Sequence, residues 1–236
     1  INGKDSAYTI NNTDIVFTLQ SIPLADSLFS KNPIVNSVIT FGDAFNPNIG
    51  IVIEELGYDT EDMGVMLSKV TFQKGIYIYD IPKLNTIVFQ DCVFNVPIHI
   101  ESESPDGDIV LMGNTINAPF TISLKNSIDR NIYLGNNNIR YKQYPSLPFS
   151  CQIHGNSGVT LIMENTQITS LDPDKSWTEL SGSFYSIEMS GCSFNDDLMM
   201  NKLNVTSNIL INNNVFRNIS MDNMAFPSTS GVYILW

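Results

Sequence analysis

Apolar side chains fall along this chain at two spacings at once. Over a few residues they alternate with polar ones, and the same alternation returns after every 22 to 29 residues. One eight-residue pattern recurs at residues 15–22, 38–45, 65–72, 87–94, 109–116, 132–139, 161–168, 187–194 and 209–216. Its first position is always Ile, Val or Leu, and its eighth is always Ile or Phe. Its third is apolar in every copy except the one with Thr40. Apolar residues at positions one and three predict a strand with one buried side. Position six is Gln20, Asp43, Val70, Cys92, Asn114, Asn137, Thr166, Cys192 and Asn214. These mostly small or amide side chains suit a bend, where they can stack and bond backbone groups. In five copies a second strand follows, marked by Ile49/Ile51, Ile76/Ile78, Ile98/Ile100, Phe120/Ile122 and Leu198/Met200. A strand, a polar bend, a second strand and a loop make one turn of a coil.

The pattern resembles the right-handed parallel β-helix shared by pectate-lyase-like enzymes and bacteriophage tailspikes. A left-handed β-helix needs six-residue steps, a leucine-rich repeat needs its Leu-x-x-Leu-x-Leu frame, and a propeller needs four strands per repeat. None of these is present. The expected fold is all-β, a single-stranded right-handed parallel β-helix of nine to ten rungs. At about 4.8 Å per rung, nine rungs make a rod about 43 Å long. Residues 1–14 read as an N-terminal cap or linker, 15–223 as the helix, and 224–236 as a last strand or C-terminal cap, since an open solenoid end exposes unpaired strand edges.

Position two points outward if positions one and three point in. It reads Val16, Ile39, Met66, Val88, Val110, Tyr133, Ile162, Glu188 and Leu210, apolar or aromatic in all but one copy. Such a stripe needs cover. Either a segment of the same chain supplies it, or other copies pack side by side about a threefold axis. The tailspike resemblance implies the second, a homotrimer with this stripe as interface. In pectate-lyase-like enzymes the resemblance places acids, Ca²⁺ ligands and a basic residue on this side of the strand. Here Glu188 is the only charge, so the conventional lyase site is not expected.

The longest turns carry residues 140–158 and 169–186. The first holds Tyr141, Tyr144, Phe149 and His154, and the second Asp172, Asp174, Trp177, Glu179 and Tyr185. Aromatic rings stack on sugar C–H faces while carboxylates accept hydroxyl protons. Tyr141, Tyr144, Asp172, Asp174, Trp177 and Glu179 are therefore the candidate carbohydrate-binding residues, set against the plainer reading that they anchor their own loops. Asp172, Asp174 and Glu179 could also supply the two carboxyl groups that a glycosidase holds about 5–9.5 Å apart. Two further acidic loops, around Glu54–Asp62 and Glu101–Asp108, read as solvated turns.

Composition narrows the partners. With 24 acids against 12 bases the formal charge is −12, which disfavours nucleic acid and anionic membranes. No apolar run approaches the roughly 20 residues that span a bilayer. The 27 asparagines argue against a helical framework. Cys92 and Cys192 lie four rungs apart and Cys151 falls in an insertion, so no disulfide is expected and assembly in reducing cytoplasm is. His99 and His154 alone make no zinc site, and no metal or cofactor is expected. Sequons at Asn11, Asn204 and Asn218 are unsurprising with so many asparagines. The chain shows no signal-peptide pattern and begins at Ile1, which reads as a processed product or a piece of a longer chain.

The first expectation is a phage tailspike or tail-fibre type structural and receptor-binding protein, assembled in the host cytoplasm and located in the virion. Its partners would be a bacterial surface glycan and other tail proteins, with no nucleic acid and no membrane insertion. The alternatives are a tailspike glycosidase acting on the same polysaccharide, and a bacterial cell-surface adhesin.

Overall fold

The computed structural model describes residues 9–10, 38–39, 49–54, 63–68, 71–72, 75–79, 84–95, 97–102, 108–125, 130–141, 149–156, 158–171, 176–227 and 231–235, with side chains from Ile87 onwards. All regular elements among them are strands, and every strand pairing is parallel. The chain is a parallel β-solenoid.

Its first face is an eight-stranded sheet of Met63–Ser68, Leu84–Gln90, Ile109–Met112, Arg130–Gly135, Val159–Glu164, Ser186–Ser190, Ile209–Asn212 and Val232–Leu235. Position one stacks on position one without slippage: Val65, Ile87, Ile109, Ile132, Leu161, Ile187, Ile209 and Val232 form one line. Position three stacks in the same way, from Leu67 to Ile234, and faces inward from Phe89 through Leu111, Leu134, Met163 and Met189 to Ile211. Between Ile87 and Ile211 no residue of either line is more than 2% exposed. A one-residue slip would turn both lines out to solvent, so burial itself fixes the register.

From Ile87 to Ile209 the solenoid makes about five turns, not nine to ten. The copy at residues 15–22 lies outside the described residues. The copy at residues 38–45 is out of register: Val38 pairs with Thr71 and Ile39 with Phe72, the places of positions seven and eight. Two adjacent apolar residues satisfy either reading, because nothing in so short a run says which face it belongs to.

The turns that begin at Ile87, Ile109, Ile132 and Leu161 have three strands, where the sequence suggested two. In the turn that begins at Ile109, Ile109–Met112 lies on face one, Thr115–Ile116 on face two and Phe120–Leu124 on face three. The first bend has a fixed chemistry. Position five is left-handed in six successive turns, at Asp91, Gly113, Asn136, Asn165, Gly191 and Asn213, with φ from 47° to 68°. Gly, and less freely Asn and Asp, adopt that conformation at the lowest cost. Asn136, Asn165 and Asn213 fill this position in three of the six turns.

Position six turns back into the tube and forms a ladder. Asn114 Nδ2 donates to Phe89 O of the preceding turn, and Asn137 Nδ2, Thr166 Oγ1 and Asn214 Nδ2 make the same bond to Leu111, Leu134 and Met189. Asn114 Oδ1 accepts from Cys92 N, Asn137 Oδ1 from Asn114 N, and Asn214 Oδ1 from Cys192 N. The bend thus bonds the backbone N–H groups of Cys92, Asn114 and Cys192 and adds a side-chain bond to a carbonyl of the strand one turn earlier.

Face three completes the core with Ile98/Ile100, Phe120/Ile122, Cys151/Ile153, Thr178/Leu180 and Leu198/Met200 facing inward in register. Cys151 therefore belongs to the core and not to an insertion: it stacks between Phe120 and Thr178. Ser193–Val205 is long because it runs through the corner between faces two and three, with a register shift between Phe194 and Asp197. At that corner Ala118, Tyr141, Ser170 and Asp196 are buried. Thr178 Oγ1 donates to Asp196 Oδ2 at 3.1 Å.

Candidate functional site

The alternation that sends Thr178 and Leu180 inward sends Trp177 and Glu179 outward. Both are half-buried, and the indole Nε1 donates to Glu179 Oε2 at 3.3 Å. The register brings Trp177 beside Asp197, and Glu179 between Gln152 on one turn and Met199 on the next. Asp197 Oδ1 accepts from Asn218 Nδ2 at 2.7 Å and lies 3.9 Å from Arg217 Nη1. Neighbouring strands are about 4.8 Å apart, so one indole, two carboxylates and two primary amides share a small patch of sheet.

The same outward side continues toward earlier turns. His99, Thr121 and Gln152 lie in the line that leads to Glu179, and Glu101, Ser123, His154 and Ser181 form the line beside it. Lys125 Nζ donates to Glu101 Oε1, while His99 Nε2 lies 3.4 Å from Glu101 Oε2. The Lys125 hydrogen bond holds the Glu101 carboxyl below its usual range, helped by His99 and opposed by partial burial. His154 Nδ1 and Ser181 Oγ are 3.1 Å apart. Both histidines of the chain thus lie on the outer side of face three.

Of the six candidate carbohydrate residues, the structure brings Trp177 and Glu179 together. Tyr141 is fully buried and fills the corner between faces two and three, so its ring is not presented to a ligand. Tyr144, Asp172 and Asp174 lie outside the described residues. Gln152, Asp197, Met199 and Asn218 were not singled out from the sequence. Their signal was there: Leu198/Met200 marked an inward pair, which puts Asp197 and Met199 outward. The missing step was to read Cys151/Ile153 and Thr178/Leu180 as the same inward pair, which the Cys and Thr obscure.

On face one the outward line runs Val88, Val110, Tyr133, Ile162, Glu188, Leu210 and Tyr233, with Met66 in register at its start. Val88, Val110, Tyr133 and Ile162 are half-buried, while Leu210 and Tyr233 are exposed at 40% and 51%. Ile39 pairs with Ile10 and Phe72 on face two, away from this line, and Val16 lies outside the described residues. Tyr133 lies across Gly135: a Cβ there would come within 2.5 Å of its ring. Its hydroxyl donates to Glu164 Oε2 at 2.8 Å, which, with partial burial, raises the phenol above its usual range.

Other polar groups have structural work. Asp108 Oδ1 accepts from both Asn131 N and Asn131 Nδ2. Cys92, Cys151 and Cys192 are buried free thiols, and burial pushes Cys151 and Cys192 up. Among the described residues no group of three or more His, Cys, Asp or Glu is placed to hold a metal ion, and no helix is long and apolar enough to cross a membrane. Compared with known proteins, the chain matches no family model, no curated protein and no solved structure.

Proposed function

We propose that this solenoid is a structural and receptor-binding protein of the phage tailspike or tail-fibre type, and that it recognises bacterial surface polysaccharide on the outer side of face three. One observation carries the reading: Trp177 and Glu179 stand together on a parallel sheet, beside Gln152 and Asp197 of the adjacent turns. An indole offers a sugar ring an apolar face, and the carboxylates and amide offer its hydroxyls acceptors. The sheet holds them in place without a loop having to order on binding, which lowers the entropic cost of recognition.

The outward line of face one supports assembly as a homotrimer, with Val88, Val110, Tyr133, Ile162 and Leu210 at the interface. Its apolar residues stack in one straight line, so side-by-side packing of identical rods would cover all of them at once. The buried free thiols fit assembly in host cytoplasm before incorporation into the virion.

Purified surface polysaccharides from candidate hosts, titrated calorimetrically into the intact chain, test the proposal. Saturable binding to at least one of them, lost in Trp177→Ala while the far-UV circular dichroism is unchanged, is the expected result. Failure of every polysaccharide to bind would overturn it. Release of short oligosaccharides would instead make the same face that of a glycosidase.

A further inference from the structure

Glu179 and Trp177 also say which sugars this face suits. We infer that the site selects a glycan carrying a free, protonated amino group, an inference that rests on the polysaccharide-binding reading above. Trp177 Nε1 occupies one oxygen of Glu179, Oε2, and among the described residues Oε1 has no hydrogen-bond partner. The neighbours of Glu179 across the sheet are Gln152, whose amide carbonyl is a second acceptor, and uncharged Met199. The next carboxylate, Asp197, lies beside Trp177 and is engaged by Asn218 and approached by Arg217. Of the other described bases near this face, Lys125 is held by Glu101, while Lys202 is exposed on the strand that pairs with Trp177–Phe184.

A primary ammonium has three donors and no acceptor. Carboxylate and amide oxygens take those donors, and an indole face attracts the charge itself. The same patch is unfavourable for a uronate. Its carboxylate would face Glu179 and Asp197 on a chain whose formal charge is already −12. An N-acetylated sugar would leave the open Glu179 oxygen with one amide donor at most and no opposite charge. Acceptors and an aromatic face therefore both favour the amine.

The test uses the intact chain with four probes of matched length: glucosamine oligomers, their N-acetylated counterparts, galacturonate oligomers and oligolysine. The glucosamine oligomer should bind about tenfold more tightly than the acetylated one, the value of one charge-assisted hydrogen bond. That preference should disappear in Glu179→Gln and shrink as salt is raised. Glu188→Gln, which removes the same charge from face one, should leave it intact. Tighter binding of the acetylated or uronate oligomer, or a preference that survives Glu179→Gln, would overturn the inference while leaving polysaccharide binding standing. Oligolysine binding as tightly as oligoglucosamine would overturn it in favour of a peptide ligand. If no oligosaccharide binds at all, both the inference and the polysaccharide reading fall.

Discussion

Asn137 Oδ1 lies 3.0 Å from both the backbone N and the side-chain Nδ2 of Asn114, one turn earlier in the coil. One oxygen thus accepts two hydrogen bonds inside the tube, while Asn137 Nδ2 donates to Leu111 O at 2.8 Å. Asn114 and Asn137 are buried, so water cannot replace what either loses. Asn137→Ala leaves the Asn114 backbone N–H without its partner and removes one hydrogen bond each from Asn114 Nδ2, which keeps Phe89 O, and from Leu111 O. It should cost about 2–4 kcal/mol, with the orphaned N–H worth about 1–3. Equilibrium urea unfolding measures this, and Asn138→Ala at the neighbouring half-buried site should cost much less.

Gly113 and Asp91 test the left-handed bend. A Cβ on Gly113 would lie 2.4 Å from Asp91 Oδ1 and would need φ near +68°. Gly113→Ala should therefore destabilise through both backbone strain and the clash, by about 1–3 kcal/mol. Asp91→Gly in the same chain should recover the part due to the clash but not the part due to φ. A double-mutant cycle read by thermal unfolding separates the two.

These bends show what the sequence disclosed and what it withheld. The lines through Ile87, Ile109, Ile132, Leu161, Ile187 and Ile209 were readable because burial on one side of a strand leaves a two-residue period that returns once per turn. The role of position six was readable because amides recur there. Position five was just as regular, with Asp91, Gly113, Asn136, Asn165, Gly191 and Asn213, yet it escaped notice because its requirement is a backbone angle and not a hydropathy. Face two was missed because two residues are too few for alternation to register. At the candidate site Trp177 and Glu179 were legible as chemistry. Their neighbours Gln152 and Asp197 come from other turns, and only the register between strands places them there.

The buried thiols give a pH prediction. Burial raises Cys151 well above its usual range and also raises Cys192. The folded state therefore holds the neutral thiols more firmly than the unfolded chain does. Their contribution is fully present below the unfolded thiol pKa, about 8.5, and is lost as pH rises through the higher folded values. Stability to urea should fall on the alkaline side of that value, and the fall should be smaller in Cys151→Ser. All three thiols should react with a disulfide reagent no faster than the chain opens.

Glu101 titrates in the opposite sense. Lys125 and His99 hold its carboxyl below the usual range, so this contribution is present above the unfolded carboxylate pKa and lost as pH falls through the folded one. Lys125→Ala should move the Glu101 carboxyl titration upward when followed by carbon-detected NMR. Gln152→Ala, elsewhere on the same face, should leave it in place.

Distances along face one test the parallel coil most directly. With spin labels at position 88 and, one at a time, at 162, 188 and 210, in a sample diluted with unlabelled chain, pulsed dipolar spectroscopy should give separations that grow by one strand spacing per turn. Three, four and five spacings correspond to about 14, 19 and 24 Å, in the order of the pairings from Val88 to Leu210. Distances that fail to increase in that order, or that place Leu210 nearer to Val88 than Ile162 is, would contradict the stacked turns on which both faces depend.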